Sequence, residues 1–194
     1  VPEEYKTEEL CKIAVQSNPW IIQNISLDTE GYPELCKLAV QKDNDVFEYI
    51  LPNNFKQDPQ SYLEICTIAV QNDGSLMNKI SSNDFMNKED YLKLSQLAIQ
   101  QNGWAIRYIN PDGLTNTKDY LTLCKNVLSD NSDLINYIPS KYHEELQSFI
   151  KPKEVTISEW LRNKSYEDII NVFNHIKVDN SNLELMPTNR IFAL

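Results

Sequence analysis

Glycine and histidine are scarce in this sequence, and their scarcity removes two kinds of site. Four glycines occur in 194 residues, and none stands in an arrangement that cradles phosphate, so the chain carries no nucleotide-binding motif. His143 and His175 are the only histidines, and neither lies in a metal-spaced pair or next to a cysteine. We therefore predict no metal site and no cofactor.

Long apolar runs are also missing. No stretch approaches the roughly 20 apolar residues that span a bilayer, and Glu3, Glu4, Glu8 and Glu9 stand where a secretory leader would carry lysine. These features predict a cytoplasmic protein without membrane insertion. The first two residues repeat the hydrophobic-then-proline step that ends later units, so we expect residue 1 to lie within a preceding repeat of a larger protein.

Basic residues are fewer than acidic residues in the first 150 positions of the chain. The net charge is -10; residues 1–150 contain 12 Lys or Arg and 22 Asp or Glu, whereas residues 151–194 contain 6 of each class. An acidic surface repels phosphate backbones and anionic lipid headgroups, which disfavours binding to nucleic acids and to membrane surfaces. It favours a basic protein partner, and solubility alone is the alternative reason for the acidity.

The sequence does contain an internal repeat. A frame that begins with glutamine or serine and ends nine positions later in isoleucine recurs without insertion at residues 16–25, 41–50, 71–80, 100–109 and 129–138. Its spacing of 25, 30, 29 and 29 residues is typical of units that each form one supersecondary motif and stack on the next. The units lie near residues 1–25, 26–50, 51–80, 81–109 and 110–138, with a closing helix at 140–150.

Apolar residues precede each frame at helical spacing and predict a first helix, helix A, in every unit. Positions are counted from the first residue of the frame. The stripe includes Leu10, Leu35, Ile65, Leu94 and Leu123 at position −6, and Ala14, Ala39, Ala69, Ala98 and Val127 at position −2. The repeated small residue predicts close approach of a neighbouring backbone.

An Asx residue stands at position +2 of every unit, between two apolar stretches. The column consists of Asn18, Asp43, Asp73, Asn102 and Asn131. Such side chains end one helix and cap the next, so we expect a short second helix, helix B, which is too short to be stable without its neighbours. The predicted fold is all-α: an α-solenoid-like stack of about five helix pairs, followed by a short helical C-terminal segment.

The four cysteines occupy one structural position. Cys11, Cys36, Cys66 and Cys124 lie at position −5, where the fourth unit has Ser95. Equivalent positions on adjacent helices are on the order of 10 Å apart, too far for a disulfide without backbone movement. We predict buried, reduced thiols whose raised pKa keeps them unreactive, so a Cys–His nucleophilic pair is disfavoured.

The starts of helix A carry capping signals. Asp58 before Pro59 and Asn87 before Asp90 predict two starts, and Thr117 predicts a third. A tyrosine occupies position −9, near the first turn, in four units: Tyr32, Tyr62, Tyr91 and Tyr120. We expect each ring to cover a loop between repeats while its hydroxyl contacts water.

Each unit follows a common sequence motif, which is clearest at residues 94–109 and 10–16. The motif reads Leu-Cys-x-x-Ala-Val-Gln followed by Asn-Gly-Trp-Ala-Ile-x-Tyr-Ile. It resembles a family of uncharacterised bacterial and protist tandem helical repeats over residues 1 to about 140. The fifth unit departs most, at Asn126, Val127, Leu128 and Ser129. The resemblance implies a tandem α-helical array within a large multidomain parent, such as a secreted bacterial effector acting in host cytoplasm. It brings no catalytic residue.

Residues 151–194 lack the frame, and Pro152 marks the break. Caps and apolar spacing predict short helices from Ser158 and Ser165, and Asn180, Asn182 and Pro187 predict turns beyond them. The order Glu159-Trp160-Leu161, Tyr166, Phe173, Val178-Asp179, Leu183 and Leu185 resembles the first part of a sterile-alpha-motif domain, which implies protein binding or self-association. The alternative is that these helices cap the open end of the stack.

Aromatic residues on helix B are the candidate contact residues. Position +4 holds Trp20 and Trp104, whereas the other units have Asp or Ser there, so the position is expected to be exposed. Position +8 holds Tyr49, Tyr108 and Tyr137. Exposed tryptophan and tyrosine anchor many protein interfaces. The alternative is that both tryptophans fold over loops or onto the next repeat.

These features predict a non-catalytic protein–protein interaction scaffold. The alternative is a substrate-positioning or regulatory region of an enzyme whose catalytic domain lies outside this chain. A complete small enzyme is the least favoured reading, because Glu144 and Glu145 fit a solvated helix face better than an acid/base pair. We predict no catalytic residue in these 194 residues.

Overall fold

The computed structural model describes residues 8–150 and, beyond them, residues 154–155, 162, 165, 167 and 186–187. Its contacts divide the chain into two compact units, Val1–Phe149 and Ile150–Leu194. Helices make up the regular structure of the first unit's described part, which confirms the predicted all-α class. Among the described residues, no helix combines the length and the apolar composition needed to cross a membrane.

Within residues 8–150, α-helices alternate with 3₁₀ helices. The α-helices are α1 (Glu8–Ser17), α2 (Tyr32–Lys42), α3 (Pro59–Asn72), α4 (Lys88–Gln101), α5 (Thr117–Asp130) and α6 (His143–Leu146). A six-residue 3₁₀ helix follows each of the first five, at Pro19–Asn24, Asn44–Tyr49, Gly74–Lys79, Gly103–Tyr108 and Ser132–Tyr137. Shorter 3₁₀ turns lie at Pro52–Phe55, Ser82–Asp84, Pro111–Gly113, Ser140–Tyr142 and Gln147–Phe149. Helix A is therefore an α-helix, and helix B is a 3₁₀ helix.

The Asx column caps all five six-residue 3₁₀ helices, as predicted. Each side chain accepts a hydrogen bond from the backbone N–H two residues later. The backbone N–H of the same residue donates to the carbonyl at position −2 of the preceding α-helix, as in the 2.9 Å bond from Asp43 to Ala39. Each Asx residue thus ends one helix and starts another. Because 3₁₀ runs of this length are uncommon, packing against neighbouring units must stabilise them.

The predicted cap residues of helix A are confirmed at two starts, and at a third the cap lies one residue earlier than predicted. Asp58 accepts from the backbone N–H of Ser61, and Asn87 accepts from that of Asp90. In the fifth unit the cap is Asn116, one residue before the predicted Thr117, which is already helical. An asparagine carbonyl reaches the N–H three residues later as readily as a threonine hydroxyl, so the earlier residue takes the role.

The predicted apolar stripe forms the core of residues 8–150. The side chains at position −6 are buried in units two to five: Leu35, Ile65, Leu94 and Leu123. Those at position −2 are buried in the same units, and all four cysteines are buried and free. On α1, by contrast, Leu10 and Ile13 are about half exposed, because among the described elements this helix packs mainly against α2 and its own 3₁₀ helix.

The tyrosines at position −9 do not keep their hydroxyls in water, so that expectation was wrong. All four are buried, and burial raises the pKa of the phenols. Phe55 and Phe85 interleave with three of them in a continuous ladder, Tyr32–Phe55–Tyr62–Phe85–Tyr91, with centroids 5.6 to 6.4 Å apart. The hydroxyl of Tyr91 accepts a 3.0 Å bond from the backbone N–H of Asn110. Ring-to-ring packing therefore buries these side chains.

In the second unit, Glu154–Val155 pairs antiparallel with Met186–Pro187. The prediction of a turn at Pro187 was therefore wrong, and a two-stranded ladder tolerates proline because its edges need no further N–H donor. Arg162 and Glu167 are helical. The residues that resemble a sterile-alpha-motif domain lie outside the described residues, as do His175 and the predicted turns at Asn180 and Asn182.

Candidate protein-binding site

At two boundaries, between the second and third units and between the third and fourth, position +3 of the earlier unit lies against the carbonyl at position −2 of the later one. In the second unit this residue is Asn44, whose Nδ2 donates to the carbonyl of Ala69 at 3.1 Å. In the third it is Gly74, where an added Cβ would lie 2.4 Å from the carbonyl oxygen of Ala98. Only glycine allows this approach, so the repeated alanine and Gly74 together bring α4 against the third unit.

Gln101 joins the third and fourth units by both ends of its carboxamide. Its Oε1 accepts from the backbone N–H of Gly74 at 2.8 Å, and its Nε2 donates to the carbonyl of Asn72 at 3.3 Å. The two bonds satisfy one donor and one acceptor at the start of a 3₁₀ helix. The boundary between these units is therefore closed by glycine, alanine and glutamine.

The fifth unit replaces two of these three residues. Val127 stands where Ala98 does, and Asp130 stands where Gln101 does. At Gly103, the counterpart of Gly74, an added Cβ would lie 3.7 Å from both Val127 Cγ1 and Leu134 Cδ1, which is ordinary contact. The branched side chain of Val127 thus lies where the backbone carbonyl of Ala98 lies at Gly74, and the backbone of α5 does not approach Gly103 as closely.

A groove of about 530 Å³ opens between α4 and α5 at this boundary. We call it the α4–α5 groove. Apolar side chains and Gly103 form its floor: Ile99, Leu123, Val127 and Leu134. Its walls and rim consist of Trp104 and five polar residues: Gln96, Gln100, Asn126, Asp130 and Asn131. A volume of this size lies within the range of ligand-binding clefts.

Two exposed aromatic side chains stand beside the groove. Trp104 is 43 % exposed and Tyr137 is 45 % exposed, and their rings meet edge to face with centroids 5.4 Å apart. Arg107 lies over the ring of Tyr137 at 5.5 Å and over that of Tyr108 at 4.9 Å. Two units thus present an indole, a phenol and a guanidinium on one surface, whereas Tyr108 is partly buried and packs against the core.

The other predicted pair has the same ring geometry but a different role. Trp20 meets Tyr49 edge to face at 5.7 Å, yet Trp20 is partly buried, and its Nε1 donates to Asp43 Oδ2 at 2.8 Å. Trp20 therefore holds the first unit to the second. In the described part of the chain, the indole N–H of Trp104 has no acceptor, because the counterpart of Asp43 is Asn131, whose carboxamide caps Asp133.

The five predicted contact residues thus fall into two groups. Trp104, Tyr137 and Tyr108 lie together near the α4–α5 groove, whereas Trp20 and Tyr49 lie between the first two units. Sequence reasoning missed the groove and the polar residues of its walls. The available signal was the departure of the fifth unit from the repeat at Val127 and Asp130.

The described residues hold no group of three or more His, Cys, Asp or Glu side chains placed to bind a metal ion. His143 lies 2.8 Å, through Nε2, from the carbonyl of Ile138. Burial raises the pKa of the Cys36 and Cys124 thiols to about 12, so these two are protonated at neutral pH. A protonated, enclosed thiol is a poor nucleophile.

Comparison of the chain with protein-family models, with curated proteins and with solved structures returned no match.

Proposed function

We propose that residues 8–150 form a non-catalytic scaffold that binds another protein through the α4–α5 groove. The observation that carries this proposal is the aromatic pair beside the groove: Trp104 of its rim and the neighbouring Tyr137 remain exposed although their rings contact each other. Tryptophan, tyrosine and arginine dominate the binding energy of many interfaces, and Arg107 adds the third type. An apolar floor between polar walls matches the layout of protein interfaces.

The cost of binding is low at this surface. The edge-to-face contact between Trp104 and Tyr137 and the stacked Arg107 hold all three side chains in place before a partner arrives. Side chains that are already ordered lose little conformational freedom on binding. The surface is thus preorganised as well as exposed.

Selection from a random peptide library displayed on phage tests this proposal without a named partner. The wild-type protein, Trp104→Ala and Tyr137→Ala serve as parallel baits, and Tyr49→Ala is the matched control because Tyr49 has the same ring geometry against Trp20. We expect peptides enriched by the wild type and by Tyr49→Ala to be lost with Trp104→Ala. Urea unfolding verifies that every bait is folded.

Two results would contradict the scaffold proposal. The first is a selection that enriches no peptide on the wild-type protein. The second is enrichment that survives both Trp104→Ala and Tyr137→Ala, since the binding surface would then lie elsewhere.

A further inference from the structure

We infer that the α4–α5 groove takes an extended, basic polypeptide segment. Two rows of polar side chains would hold the backbone of that segment, and a Lys or Arg side chain would lie between Trp104 and Asp130. This inference rests on the proposed function and names the chemistry of its partner.

The two rows face each other across the groove. Gln96 and Gln100 stand one turn apart on α4, and Asn126 and Asp130 stand one turn apart on α5. Residues four apart on an α-helix are separated by about 6 Å along the axis. Alternate peptide groups along an extended chain are about 6.4 to 6.8 Å apart. Each row therefore matches the repeat of an extended backbone laid along the groove.

The carboxamides of these rows are available for binding. In the described part of the chain, the side chains of Gln96, Gln100 and Asn126 form no hydrogen bond, whereas both ends of the neighbouring Gln101 are occupied. A carboxamide donates and accepts, as a peptide group does, so the pairing is complementary. A helical partner would satisfy its own backbone groups and leave these amides unpaired, which favours the extended form.

The charge of the groove selects a cation. Asp130 is the one ionisable residue among those that line the groove. No Lys or Arg in the described residues lies within ion-pair distance of it. The cations of the neighbouring elements have other partners: Arg107 lies over the rings of Tyr108 and Tyr137 at 4.9 and 5.5 Å, Lys125 lies over the ring of Phe149 at 5.0 Å, and Lys93 pairs with Glu89 at 3.5 Å.

A long basic side chain also fits the rest of the site. Ile99 and Leu134 of the floor can cover its aliphatic stem, while its charged end reaches Asp130. The exposed face of the Trp104 indole attracts the same cation through its π-electrons. Excess acid over residues 1–150, with 22 Asp or Glu against 12 Lys or Arg, increases the association rate of a basic segment.

Fluorescence anisotropy with a labelled octapeptide of alternating arginine and alanine tests the inference. We expect a dissociation constant on the order of micromolar, and binding at least about tenfold weaker for the glutamate–alanine octapeptide. Methylation of the alanine amide nitrogens should also weaken binding about tenfold, because it removes backbone donors. Arginine amide alone should bind far more weakly than the octapeptide.

Variants connect this binding to the groove. Asp130→Asn and the double variant Gln96→Ala/Gln100→Ala should each weaken the octapeptide about tenfold, since each removes one class of contact. Asp45→Asn is the control, because Asp45 is an exposed carboxylate of another unit. Urea unfolding of all four proteins separates lost binding from lost folding.

The possible results distinguish this inference from the scaffold proposal. Equal affinity for the acidic octapeptide, or no effect of Asp130→Asn, overturns the basic segment, while Trp104-dependent selection from the library still supports the scaffold. Equal affinity of arginine amide overturns the extended segment, because the groove would then be a pocket for one cation. Peptide enrichment that survives both Trp104→Ala and Tyr137→Ala contradicts the scaffold proposal itself.

Discussion

Ser95 donates a 2.8 Å hydrogen bond to the carbonyl of Tyr91 from the fully buried position that cysteine fills in the other units. The bond follows the common pattern in which a serine hydroxyl bonds the carbonyl four residues earlier in its helix. The fourth unit thus shows how a hydroxyl is accommodated in a core position otherwise occupied by a thiol.

Replacement of a core cysteine by serine should therefore be tolerated. In Cys66→Ser the new hydroxyl can donate to the carbonyl of Tyr62, as Ser95 does to Tyr91, and we expect a loss of at most about 1 kcal/mol in the free energy of unfolding. Cys66→Leu, which inserts extra volume into the same fully buried site, should cost about 1–3 kcal/mol. Urea unfolding measures both, and equal losses would contradict the serine precedent.

Stability should fall in alkaline solution. The pKa of the Cys36 and Cys124 thiols rises from 9.0 to about 12 on folding, chiefly because burial disfavours the thiolate. Between about pH 9 and pH 12 the unfolded chain releases these protons while the folded chain retains them. The free energy of unfolding then decreases with rising pH, by up to about 1.4 kcal/mol per pH unit for each thiol. Below pH 9 these groups contribute full stability.

Urea unfolding at several pH values from 8 to 10.5 checks this dependence. The variant Cys36→Ser/Cys124→Ser should show a shallower decline, although the buried tyrosines, whose pKa is also raised by burial, still contribute from about pH 10. A free energy of unfolding that stays constant over this range in the wild-type protein would contradict the burial of these groups.

Two equivalent glycines should respond differently to the same substitution. Gly74→Ala places a Cβ 2.4 Å from the carbonyl oxygen of Ala98, so we expect a loss of about 1–3 kcal/mol as the third and fourth units are pushed apart. Gly103→Ala meets only ordinary contacts at 3.7 Å, and reduced freedom of the unfolded chain should leave it neutral or more stable by up to about 1 kcal/mol. Thermal unfolding of the two variants measures this difference in stability. Similar losses at both glycines would mean that the fifth unit is packed as tightly as the fourth.

Neighbouring glutamines provide a second matched pair. Gln101→Ala removes both hydrogen bonds between the third and fourth units and should cost about 1–2 kcal/mol in the free energy of unfolding. Gln100→Ala changes an exposed side chain that forms no bond in the described part of the chain, so stability should change by less than about 0.5 kcal/mol. The prediction fails when the two variants unfold at the same urea concentration.

Removal of the indole N–H should also change the free energy of unfolding by different amounts at the two tryptophans. Trp20→Phe leaves Asp43 Oδ2 without its 2.8 Å donor in a partly buried place, and we expect a loss of about 1–2 kcal/mol. Trp104→Phe removes an N–H that has no acceptor in the described residues, so its effect on stability should be small. Thermal unfolding checks both, and a larger loss at Trp104 would assign that ring to the core.

Sequence periodicity was enough to identify the helices, the Asx caps and most of the core. These features depend on side chains a few residues apart, such as Asn102 and the N–H of Trp104, so their spacing along the chain carries the information. Contacts between rings of different units were not readable in this way. The expectation that the Tyr62 hydroxyl contacts water was wrong because the rings of Phe55 and Phe85 pack on either side of Tyr62. No periodic pattern in the sequence relates those two positions to Tyr62.

The candidate site was accessible from the sequence only in part. Position +4 identified Trp104 and Trp20 as equivalent, yet their surroundings differ because one faces Asp43 and the other faces Asn131. A repeat pattern assigns equivalent positions, but the residue of the next unit that lies beside a side chain determines whether that side chain is hydrogen-bonded and partly buried or is exposed.

The sequence by itself determined that residues 8–150 are helical, which residues form most of their core, and where the α-helices of the five units end, because those properties follow from local spacing and capping. Only the tertiary structure decided that a groove opens between α4 and α5. The separation of two helices depends on how backbone and side chains meet across a boundary, and one branched residue, Val127, in place of alanine alters it.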